Sequence, residues 1–367
     1  MKKSAQEKMK ILSLISTPMN FNGQTLFPLR IAKRMNRVQT DFLTYHVGDD
    51  RIRAEADAMG SEIFVAPHRL KNPLGYIRYV SGLIRRQGYE IVHCHGNSCT
   101  LAIDLLAAKL GGAKVRIAHS HNSQCKFAAL HHLLRPLFSC LYTHAYACGE
   151  EAGKWLFGRK KFEIIRNAID LRAYAFDPAV RASLREEFGC GEKTVIGCVA
   201  NLTETKNQSF LIDAFAGALE RNPDMLLMLV GSGPLRESLE RQAQEKGVAD
   251  SVRFLGLRTD ANRLIQMMDA MALPSLFEGF PTVALEWQCS GLPVLMSENI
   301  TRQCAFTKLV RYLPLDADAW SDALLDLPAT DRAAAGRSGV AALSAAGFDL
   351  DRVAAELENE YLNRLQN

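Results

Sequence analysis

The residues best suited to chemistry lie close together in the segment 277–286, Phe-Glu-Gly-Phe-Pro-Thr-Val-Ala-Leu-Glu. Its pattern predicts the end of a strand, a loop containing glycine, and a helix with Pro281 at its first position. Behind that proline, Thr282 and Val283 offer backbone N–H groups that have no partner within the helix. These donors and the positive end of the helix dipole favour the binding of a phosphate group.

Two glutamates flank this predicted phosphate site. Glu278 lies in the loop ahead of the helix, and Glu286 lies about one turn inside it. One carboxylate could accept hydrogen bonds from sugar hydroxyls and the other from ribose hydroxyls. Each glutamate alone is typical of a solvated surface charge. The hypothesis of a ligand site therefore depends on their combination with the loop and the helix start.

Four histidines form a second group that could do chemistry. His93 and His95 stand two residues apart at the end of one predicted strand, and His119 and His121 stand likewise on the next. Each pair therefore projects to one side of its strand. Four imidazoles suggest zinc, but no carboxylate or thiolate stands at a matching position, and we expect no metal. The acidic pair in Asp316–Asp318 directly precedes a predicted helix, so helix capping is the better interpretation.

The elements that must position these residues form two series. Short apolar runs rich in β-branched residues alternate with amphipathic stretches, which is typical of βαβ units and a parallel sheet. The first series ends near Ile165, and the second opens at Thr194. The polar stretch Asp170–Gly191 predicts a linker between them.

We therefore expect an α/β protein with two facing Rossmann-like domains and a cleft between them. The N-terminal domain is expected to cover residues 1–175 and the C-terminal domain 176–349, with a helix over 350–367 completing the first domain. In open parallel sheets, ligands bind beyond the carboxyl ends of the strands. The segment 277–286 and the histidines lie at such ends, so we expect them to line the cleft.

Further motifs stand in order along the second series. They are Val199–Leu202 with Lys206-Asn207, Val230–Leu235, Phe254–Asp260, Asp269–Ser275 and Gly291–Val294. With the two glutamates around Gly-Phe-Pro, these motifs resemble the retaining glycosyltransferases of family 4, over residues 160–300. The resemblance is to bacterial enzymes of exopolysaccharide, capsule or lipopolysaccharide assembly. It implies the GT-B fold and transfer of a sugar from a UDP- or GDP-sugar donor to a glycan or polyprenyl-diphosphate-linked acceptor.

The resemblance also implies roles for individual residues. Lys206 would stabilise the departing diphosphate, His121 would hydrogen-bond the donor sugar or the acceptor, and Glu278 would complete the catalytic set. His119 would be a further substrate contact. The implied donor-binding residues are Gly23, Asn201, Gly231, Gly233, Leu257, Arg258, Gly279, Phe280, Pro281, Thr282, Val283 and Glu286.

Two positions depart from the family pattern. Asn201 stands where the family usually has an arginine, so a full positive charge is missing and Lys206 and the helix start must stabilise more of the leaving group. Gly23 lies between the first strand and the first helix, where the family usually has a pair of glycines. The backbone N–H groups at this helix start could still face the diphosphate.

The implied reaction retains the anomeric configuration and uses no cofactor and no metal. The departing phosphate would deprotonate the acceptor hydroxyl, since no dedicated base is evident. Two alternatives stay open: a nucleotide-sugar epimerase of the same architecture, and an inactive nucleotide-sugar-binding regulatory subunit, which the asparagine at 201 motivates. A dehydrogenase is disfavoured because no G-x-G-x-x-G follows the first strand.

Charge is distributed unevenly along the chain. Residues 1–175 hold 26 Lys+Arg and 13 Asp+Glu, whereas residues 176–367 hold 18 and 27. The basic half favours loose contact with an anionic membrane surface. Nucleic acid is not expected, because the basic residues are not interleaved with aromatic residues. The lack of a leader-like segment and nine scattered cysteines, which we expect to be buried, predict a cytoplasmic protein. Its basic half would place it at the periphery of the inner face of the membrane.

Overall fold

The apolar runs of the sequence form two parallel sheets. The structure, a computed structural model, describes residues 8–20, 23–122, 125 and 128–365, with the backbone alone at 23 and 24. The chain divides into two units, one made of Met1–Ala168 with Leu350–Asn367 and the other of Ile169–Asp349. The boundary falls after Ala168 and not after 175, because Ile169, Leu171 and Tyr174 are buried in the core of the second unit.

The first unit contains seven parallel strands. They are β1 (Met9–Ile15), β2 (Val38–Thr44), β3 (Ile63–Val65), β4 (Ile91–Gly96), β5 (Val115–Ser120), β6 (His144–Ala147) and β7 (Glu163–Ile164). Their order across the sheet is β3-β2-β1-β4-β5-β6-β7. In the register of β4 and β5, His95 lies beside His119, so the histidine pairs meet on one face.

The second unit contains six parallel strands. They are β8 (Thr194–Val199), β9 (Met225–Val230), β10 (Val252–Gly256), β11 (Ala270–Leu273), β12 (Val294–Ser297) and β13 (Val310–Leu313). Their order is β10-β9-β8-β11-β12-β13. All six residues of β9 are buried, as expected for a central strand covered on both faces. The edge strand β13 was not predicted, because its outer residues are partly exposed and its sequence is less apolar.

Helices cover the faces of both sheets. They are α1 (Gly23–Ala32), α2 (Asp50–Ala58), α3 (Pro73–Gln87), α4 (Ala102–Gly111), α5 (Ala128–Leu141), α6 (Glu150–Phe157), α7 (Leu171–Tyr174), α8 (Pro178–Glu187), α9 (Gln208–Arg221), α10 (Arg236–Glu245), α11 (Ala261–Leu264), α12 (Thr282–Cys289), α13 (Ala317–Leu325), α14 (Arg332–Ala345) and α15 (Leu350–Arg364). The prediction of two Rossmann-like α/β domains is confirmed.

The predicted linker Asp170–Gly191 is wrong, because two helices form within it. Pro178 occupies the first turn of α8, and the Asp177 carboxylate before it accepts hydrogen bonds from the backbone N–H groups of residues 179 and 180. On the inner side of α8, Leu184 is buried in the core of the second unit. The segment is polar on one face only, which the prediction mistook for a linker.

The closing helix α15 belongs to the first unit. Its Leu357 and Tyr361 are buried in a cluster with Phe27 of α1 and Ile91 of β4. The Glu358 carboxylate accepts hydrogen bonds from the backbone N–H groups of Arg37 and Val38, at 2.6 and 3.1 Å. Helix α15 therefore completes a hydrophobic core whose other members come from the earlier part of the first unit.

Two smaller findings bear on location. Within the described ranges, we find no helix with the length and apolar character that crossing a bilayer requires. Six of the nine cysteines are buried, but Cys140 is exposed and two others are partly so, because Cys140 lies on the outer side of α5. The expectation that all nine are buried is therefore wrong.

Candidate active site

The candidate site of the second unit lies where the strand order reverses. β8 and β11 are neighbours in the sheet, but the chain continues from β8 toward one edge and from β11 toward the other. Such a switch point leaves a crevice beyond the carboxyl ends of the two strands. Lys206 follows β8 and Glu278 follows β11, so the topology brings together two residues 72 positions apart.

Backbone contacts join the two loops that carry these residues. The Leu276 N–H donates to the carbonyl of Thr205 at 2.8 Å, and the Asn207 side-chain amide donates to the carbonyl of Pro274 at 3.2 Å. Asn207 has a left-handed backbone with φ 58°, a conformation that asparagine tolerates better than most residues. The turn ends the short 3₁₀ segment Glu204–Lys206 and starts α9.

Lys206 and Glu278 form an ion pair at this point. Lys206 Nζ contacts Glu278 Oε1, and the Ser275 hydroxyl donates to the same oxygen at 3.0 Å. The side chains are only 24% and 14% exposed, so the pair is partly shielded from water. A shielded cation with three N–H donors can bind an anion while it keeps its carboxylate partner.

The helix start expected to bind phosphate is α12. Pro281 lies one position ahead of the helix, with ψ 104°, and not at its first position as predicted, because its carbonyl already accepts the Ala284 N–H. Thr282 and Val283 are then the first two helical residues, and their N–H groups have no intrahelical acceptor. The shift by one residue leaves the predicted donors in place.

The loop ahead of α12 has room around it. A Cβ added at Gly279 would meet nothing within 4 Å, so the protein's own packing does not require glycine there. Phe280 is stacked on Phe348, with ring centroids 5.5 Å apart and planes 15° apart, which anchors the loop to the core. The anchor holds the loop beside the helix start, with open space at the glycine.

Glu286 is buried, whereas Glu278 is only half-buried. Glu286 is only 7% exposed, and the whole stretch Ala284–Cys289 of α12 is buried. Its carboxylate therefore lies one turn behind the helix start in a shielded position, as expected from the sequence spacing. Its role towards a ribose or sugar hydroxyl stays a prediction.

The two glycines after β9 meet protein backbone. A Cβ at Gly231 would lie 2.0 Å from the carbonyl oxygen of Ala200, and one at Gly233 would lie 2.2 Å from that of Leu202. The Leu202 N–H donates to the carbonyl of Ser232 at 3.0 Å. The glycines thus let the loop after β9 lie against the loop that carries the exposed Asn201.

Leu257 and Arg258 follow the carboxyl end of β10. Leu257 is 44% exposed. The Arg258 guanidinium forms a forked pair with Asp260 at 2.8 and 2.7 Å, and this pairing raises the pKa of Arg258 and lowers that of Asp260. The arginine side chain is therefore held by its own loop, while the backbone at these positions lies at the ligand edge of the sheet.

In the first unit, the four histidines form a column at the ends of β4 and β5, in which His93, His95 and His119 are buried and His121, one residue past β5, is partly exposed. His95 Nδ1 lies 2.9 Å from His121 Nε2, and His93 Nε2 lies 3.1 Å from His119 Nδ1. At the inner end, the Tyr361 hydroxyl lies 2.6 Å from His93 Nδ1. The backbone N–H of His121 donates to Gly96, which keeps this residue at the end of β4.

Burial keeps these imidazoles uncharged. It lowers the pKa of His93 to about 3 and that of His121 to about 4, and it lowers those of His95 and His119 well below the usual value. For His93, His95 and His119 the neighbouring histidines add to the lowering of the pKa, since one imidazolium would repel another. None of the four is set to act as a base near neutral pH.

The ring orientations bear on the zinc alternative. His93, His95 and His119 each offer a ring nitrogen, and these atoms lie within 4.8 Å of one another. The rings of His93 and His95 are stacked, with centroids 4.1 Å apart and planes 23° apart. Lone pairs in nearly parallel planes do not converge on one ion at about 2.0–2.1 Å.

Gly23 is the first residue of α1, so it lies at the helix start that we expect to face the diphosphate. Residues 21 and 22, which precede it, lie outside the described residues.

Known proteins resemble this chain in sequence and in fold. The profile of the family described as "Glycosyl transferases group 1" matches residues 180–306, which include Lys206 and Glu278. The protein named glycosyltransferase EpsF of Bacillus subtilis (strain 168) is 34% identical over 312 residues, which are 80% of this chain and 80% of EpsF. The chain belongs to the group 1 glycosyltransferases. The resemblance predicted from the motifs, and with it a glycosyltransferase function, is confirmed.

Two further likenesses concern this glycosyltransferase. The UDP-Gal:alpha-D-GlcNAc-diphosphoundecaprenol alpha-1,3-galactosyltransferase of Escherichia coli is 28% identical over 239 residues, 60% of this chain and 61% of that protein. The crystal structure of Anabaena HepE in complex with UDP has a TM-score of 0.79, covering 97% of this chain and 100% of HepE. At 20% identity that likeness shows the fold alone, and it confirms the predicted GT-B class.

Some contacts of the glycosyltransferase were not predicted. The hydroxyl of Ser275 and the left-handed turn at Asn207 lie within quoted motifs, but only the folded loops show that they hold Glu278 and Lys206 in place. Tyr361 lies far along the sequence in a plain amphipathic helix, and nothing in the local pattern links it to His93. A tyrosine on the buried face of the last helix is the one available signal.

Proposed function

We propose that this glycosyltransferase transfers a sugar from a UDP- or GDP-sugar to a glycan or polyprenyl-diphosphate-linked acceptor, with retention at the anomeric carbon. The observation that supports it most is the Lys206–Glu278 pair at the switch point of the second sheet, in the same unit as the start of α12. Relatives support the substrate class, since the E. coli enzyme is named for a UDP-sugar donor and a diphosphoundecaprenol acceptor. The reaction would take place in the cytoplasm and would be one step in the biosynthesis of a cell-surface polysaccharide.

The chemical problem is the negative charge that develops as the donor breaks. The bond from the sugar C1 to the phosphate oxygen opens, and the acceptor oxygen bonds to C1 on the same face. The proton of the acceptor hydroxyl passes to the departing phosphate. The protein's main contribution is to stabilise that phosphate with donors that are already in position.

Lys206 and the first turn of α12 supply those donors. The ammonium group is held by Glu278, so it need not reorganise when the diphosphate charge grows. The N–H groups of Thr282 and Val283 add dipolar stabilisation. Asn201 in place of the family's arginine increases the share that these groups must provide.

Glu278 has two roles in this scheme. It orients Lys206, and its second oxygen can accept hydrogen bonds from the hydroxyls of the donor sugar. The Ser275 hydroxyl fixes the first oxygen, which leaves the carboxylate with a single favoured orientation. Gly279 leaves the space that a sugar beside this carboxylate needs.

No metal and no cofactor take part in the proposed reaction. The positive charge of Lys206 and the helix start replaces that of a metal at the diphosphate. The stacked histidines support this view, since their lone pairs do not converge. His121 and His119 would serve as hydrogen-bond donors to substrate, because their low pKa values make poor bases.

The first unit would rest loosely on the inner face of the membrane, where a polyprenyl-linked acceptor is held. Leu74 at the start of α3 is 76% exposed and follows the exposed Lys71 by three residues. An exposed leucine close in sequence to a basic residue suits the interface between headgroups and acyl chains. The basic residues that would contact the headgroups are Lys71, Arg78, Arg85, Arg86 and Arg159–Lys161.

The test is a pair of matched substitutions at the ion pair. Lys206→Met and Glu278→Gln are expected to lower turnover at least ~100-fold, the size seen when one preorganised electrostatic contact is removed. The control is Lys246→Met, which breaks a more exposed pair with Asp213 in the same unit. Near-normal turnover in both site variants would overturn the assignment of the site.

The same assay separates the alternatives. Purified protein is incubated with UDP- and GDP-sugars, with and without lipid-linked acceptor. Product that forms only with acceptor, with its anomeric configuration kept, is the expected result. Conversion of the donor sugar without acceptor would indicate an epimerase, and donor binding without any turnover would indicate a regulatory subunit.

A further inference from the structure

Three residues of the first unit have no role in the motifs or in the proposed reaction: His93 and His95 of the histidine column, and Tyr361 beside it. We propose that His95 is a positioning residue that holds His121 with its ring proton on Nδ1, and that Tyr361 orders His119 in the same way through His93. The inference rests on the proposed function, because that function places His121 against the donor sugar. Its physical basis is the hydrogen bonding of neutral imidazoles.

A neutral imidazole has one N–H donor and one acceptor nitrogen. The tautomers of two hydrogen-bonded histidines are therefore linked. When His95 Nδ1–H donates across the 2.9 Å contact, His121 Nε2 must accept, and the proton of His121 must lie on Nδ1. When the bond runs in the other direction, Nδ1 of His121 carries a lone pair.

Asn167 favours the first direction. His121 Nδ1 and Asn167 Oδ1 are both buried, and neither has a hydrogen bond of normal geometry within the described part of the chain. The Asn167 side chain nevertheless acts on His121, since it raises the pKa of this imidazole against the larger lowering by burial. The two side chains are therefore neighbours, and an N–H on His121 Nδ1 can satisfy the unpartnered Asn167 oxygen, whereas a lone pair there would leave both buried atoms without a partner. His121 then presents a hydrogen-bond donor.

The inner half of the column has a preferred direction for a related reason. If the Tyr361 hydroxyl donates to His93 Nδ1, then His93 Nε2–H donates to His119 Nδ1, and only the N–H on His119 Nε2 lacks a partner. If both hydrogen bonds run in the opposite direction, the Tyr361 hydroxyl proton and the His119 Nε2 lone pair both lack a partner. A buried polar group without a partner costs about 1–3 kcal/mol, so the direction with fewer such groups is favoured.

Both series of hydrogen bonds, from His95 to His121 and from Tyr361 through His93 to His119, thus end in an N–H. The two outer nitrogens, Nε2 of His119 and Nδ1 of His121, are buried and without a partner in the described residues. Phe27 of α1 packs on both rings, at 5.5 and 5.6 Å between centroids, and limits their rotation. The His119 ring is fully buried, so of these two donors it is the one on the half-buried His121 that is suited to a substrate oxygen, such as a sugar hydroxyl or the acceptor oxygen.

The groups facing the column keep it neutral over a wide pH range. They are the other histidines, Tyr146 of β6 at 5.8 and 6.1 Å from His93 and His119, Tyr361 of α15 and Asn167. The pKa of Tyr361 is raised by burial, and that of Tyr146 is raised to about 12. The tautomers are therefore expected to persist from pH 5 to pH 8.

The experiment compares two amides that differ in reach. In His95→Asn, the amide nitrogen stands close to where Nδ1 stood and can still donate to His121, whereas the longer side chain of His95→Gln places its amide nearer to Nε2. Nitrogen-15 spectra of histidine-labelled full-length protein report the protonated nitrogen of His121, assigned with His121→Asn. We expect Nδ1–H in the wild type and in His95→Asn, and a mixture in His95→Gln.

The kinetic readout is kcat at saturating donor. We expect His95→Asn to stay within about threefold of wild type and His95→Gln to lose about 10- to 100-fold, as when the partner that orients a functional histidine is removed. Tyr361→Phe, which keeps the ring, is expected to alter the tautomer of His119 and to leave that of His121 unchanged.

The outcomes separate this inference from the proposed function. Nε2–H on His121 in the wild type, equal kcat in the two His95 variants, or stoichiometric zinc that is lost on replacing His95 would each overturn it. A wild-type protein with the expected tautomers but without sugar transfer would contradict the proposed function and leave the positioning intact.

Discussion

The buried histidine column makes a quantitative prediction about acid sensitivity. His93 has a pKa of about 3 in the folded chain and an ordinary value near 6.5 when unfolded. As pH falls below about 6.5, the unfolded chain binds a proton and the folded chain does not. The stabilisation is therefore complete above this value and is lost progressively as pH falls towards the folded pKa.

The magnitude follows from these two values. Between pH 7 and pH 5, one histidine with this shift lowers the free energy of unfolding by about 2 kcal/mol. His121, with a folded pKa of about 4, adds a similar amount, and His95 and His119 act in the same direction. His93→Asn removes one of these groups and leaves an amide that can still accept from Tyr361.

The assay is native-state hydrogen exchange of peptides that cover β4 and β5, at pH 7 and pH 5, because it reads the first unit alone. The stability difference between wild type and His93→Asn should shrink by about 2 kcal/mol at the lower pH, an approximately 30-fold change in relative opening. His46→Asn, at an exposed position, is the control and should show no such change. A difference that is the same at both pH values would refute the reasoning.

Two further predictions concern the surface and a helix end. Cosedimentation with anionic liposomes should weaken as salt rises and should fall further in Lys71→Ala/Arg78→Ala, because the contact is electrostatic; binding that is indifferent to salt would count against the membrane contact. The Asp316 carboxylate accepts a hydrogen bond from the Ala319 N–H at 2.9 Å, so Asp316→Ala should lower the free energy of unfolding of the second unit by about 0.5–2 kcal/mol in urea titration. Activity should stay unchanged. A loss of activity together with loss of a bound metal would instead favour the metal interpretation of this acidic pair.

The fold could be predicted from the sequence wherever the pattern is local. Alternating apolar runs and amphipathic stretches indicate parallel sheets, and buried strands such as β9 leave little ambiguity. The helix α8 and the edge strand β13 were missed because each is apolar on one side only, and a half-polar segment resembles a loop when it is read without its neighbours. The acid cap at Asp316 was predicted correctly because capping is local.

The site could be predicted only up to its long-range contacts. The motifs identified Lys206 and Glu278, but no spacing shows that residues 72 positions apart form an ion pair, which depends on the neighbouring places of β8 and β11. The glycines at 231 and 233 are a further example. Their role in donor binding stays a prediction, and the structure adds a close approach to the carbonyl oxygens of Ala200 and Leu202 that the motif alone does not show.

The most direct test of the central claim removes one backbone donor at the start of α12. Thr282→Pro deletes the N–H proposed to bind the donor phosphate, and the extended ψ of 104° at Pro281 accommodates a following proline. Thr282→Ala keeps this N–H and serves as the control. Isothermal titration with UDP and GDP should show affinity for the preferred nucleotide reduced about 10- to 100-fold in Thr282→Pro, the worth of a hydrogen bond to a charged group. It should show little change in Thr282→Ala, and thermal stability should be unaffected in both. Equal affinity in the proline variant and the alanine control would contradict the account.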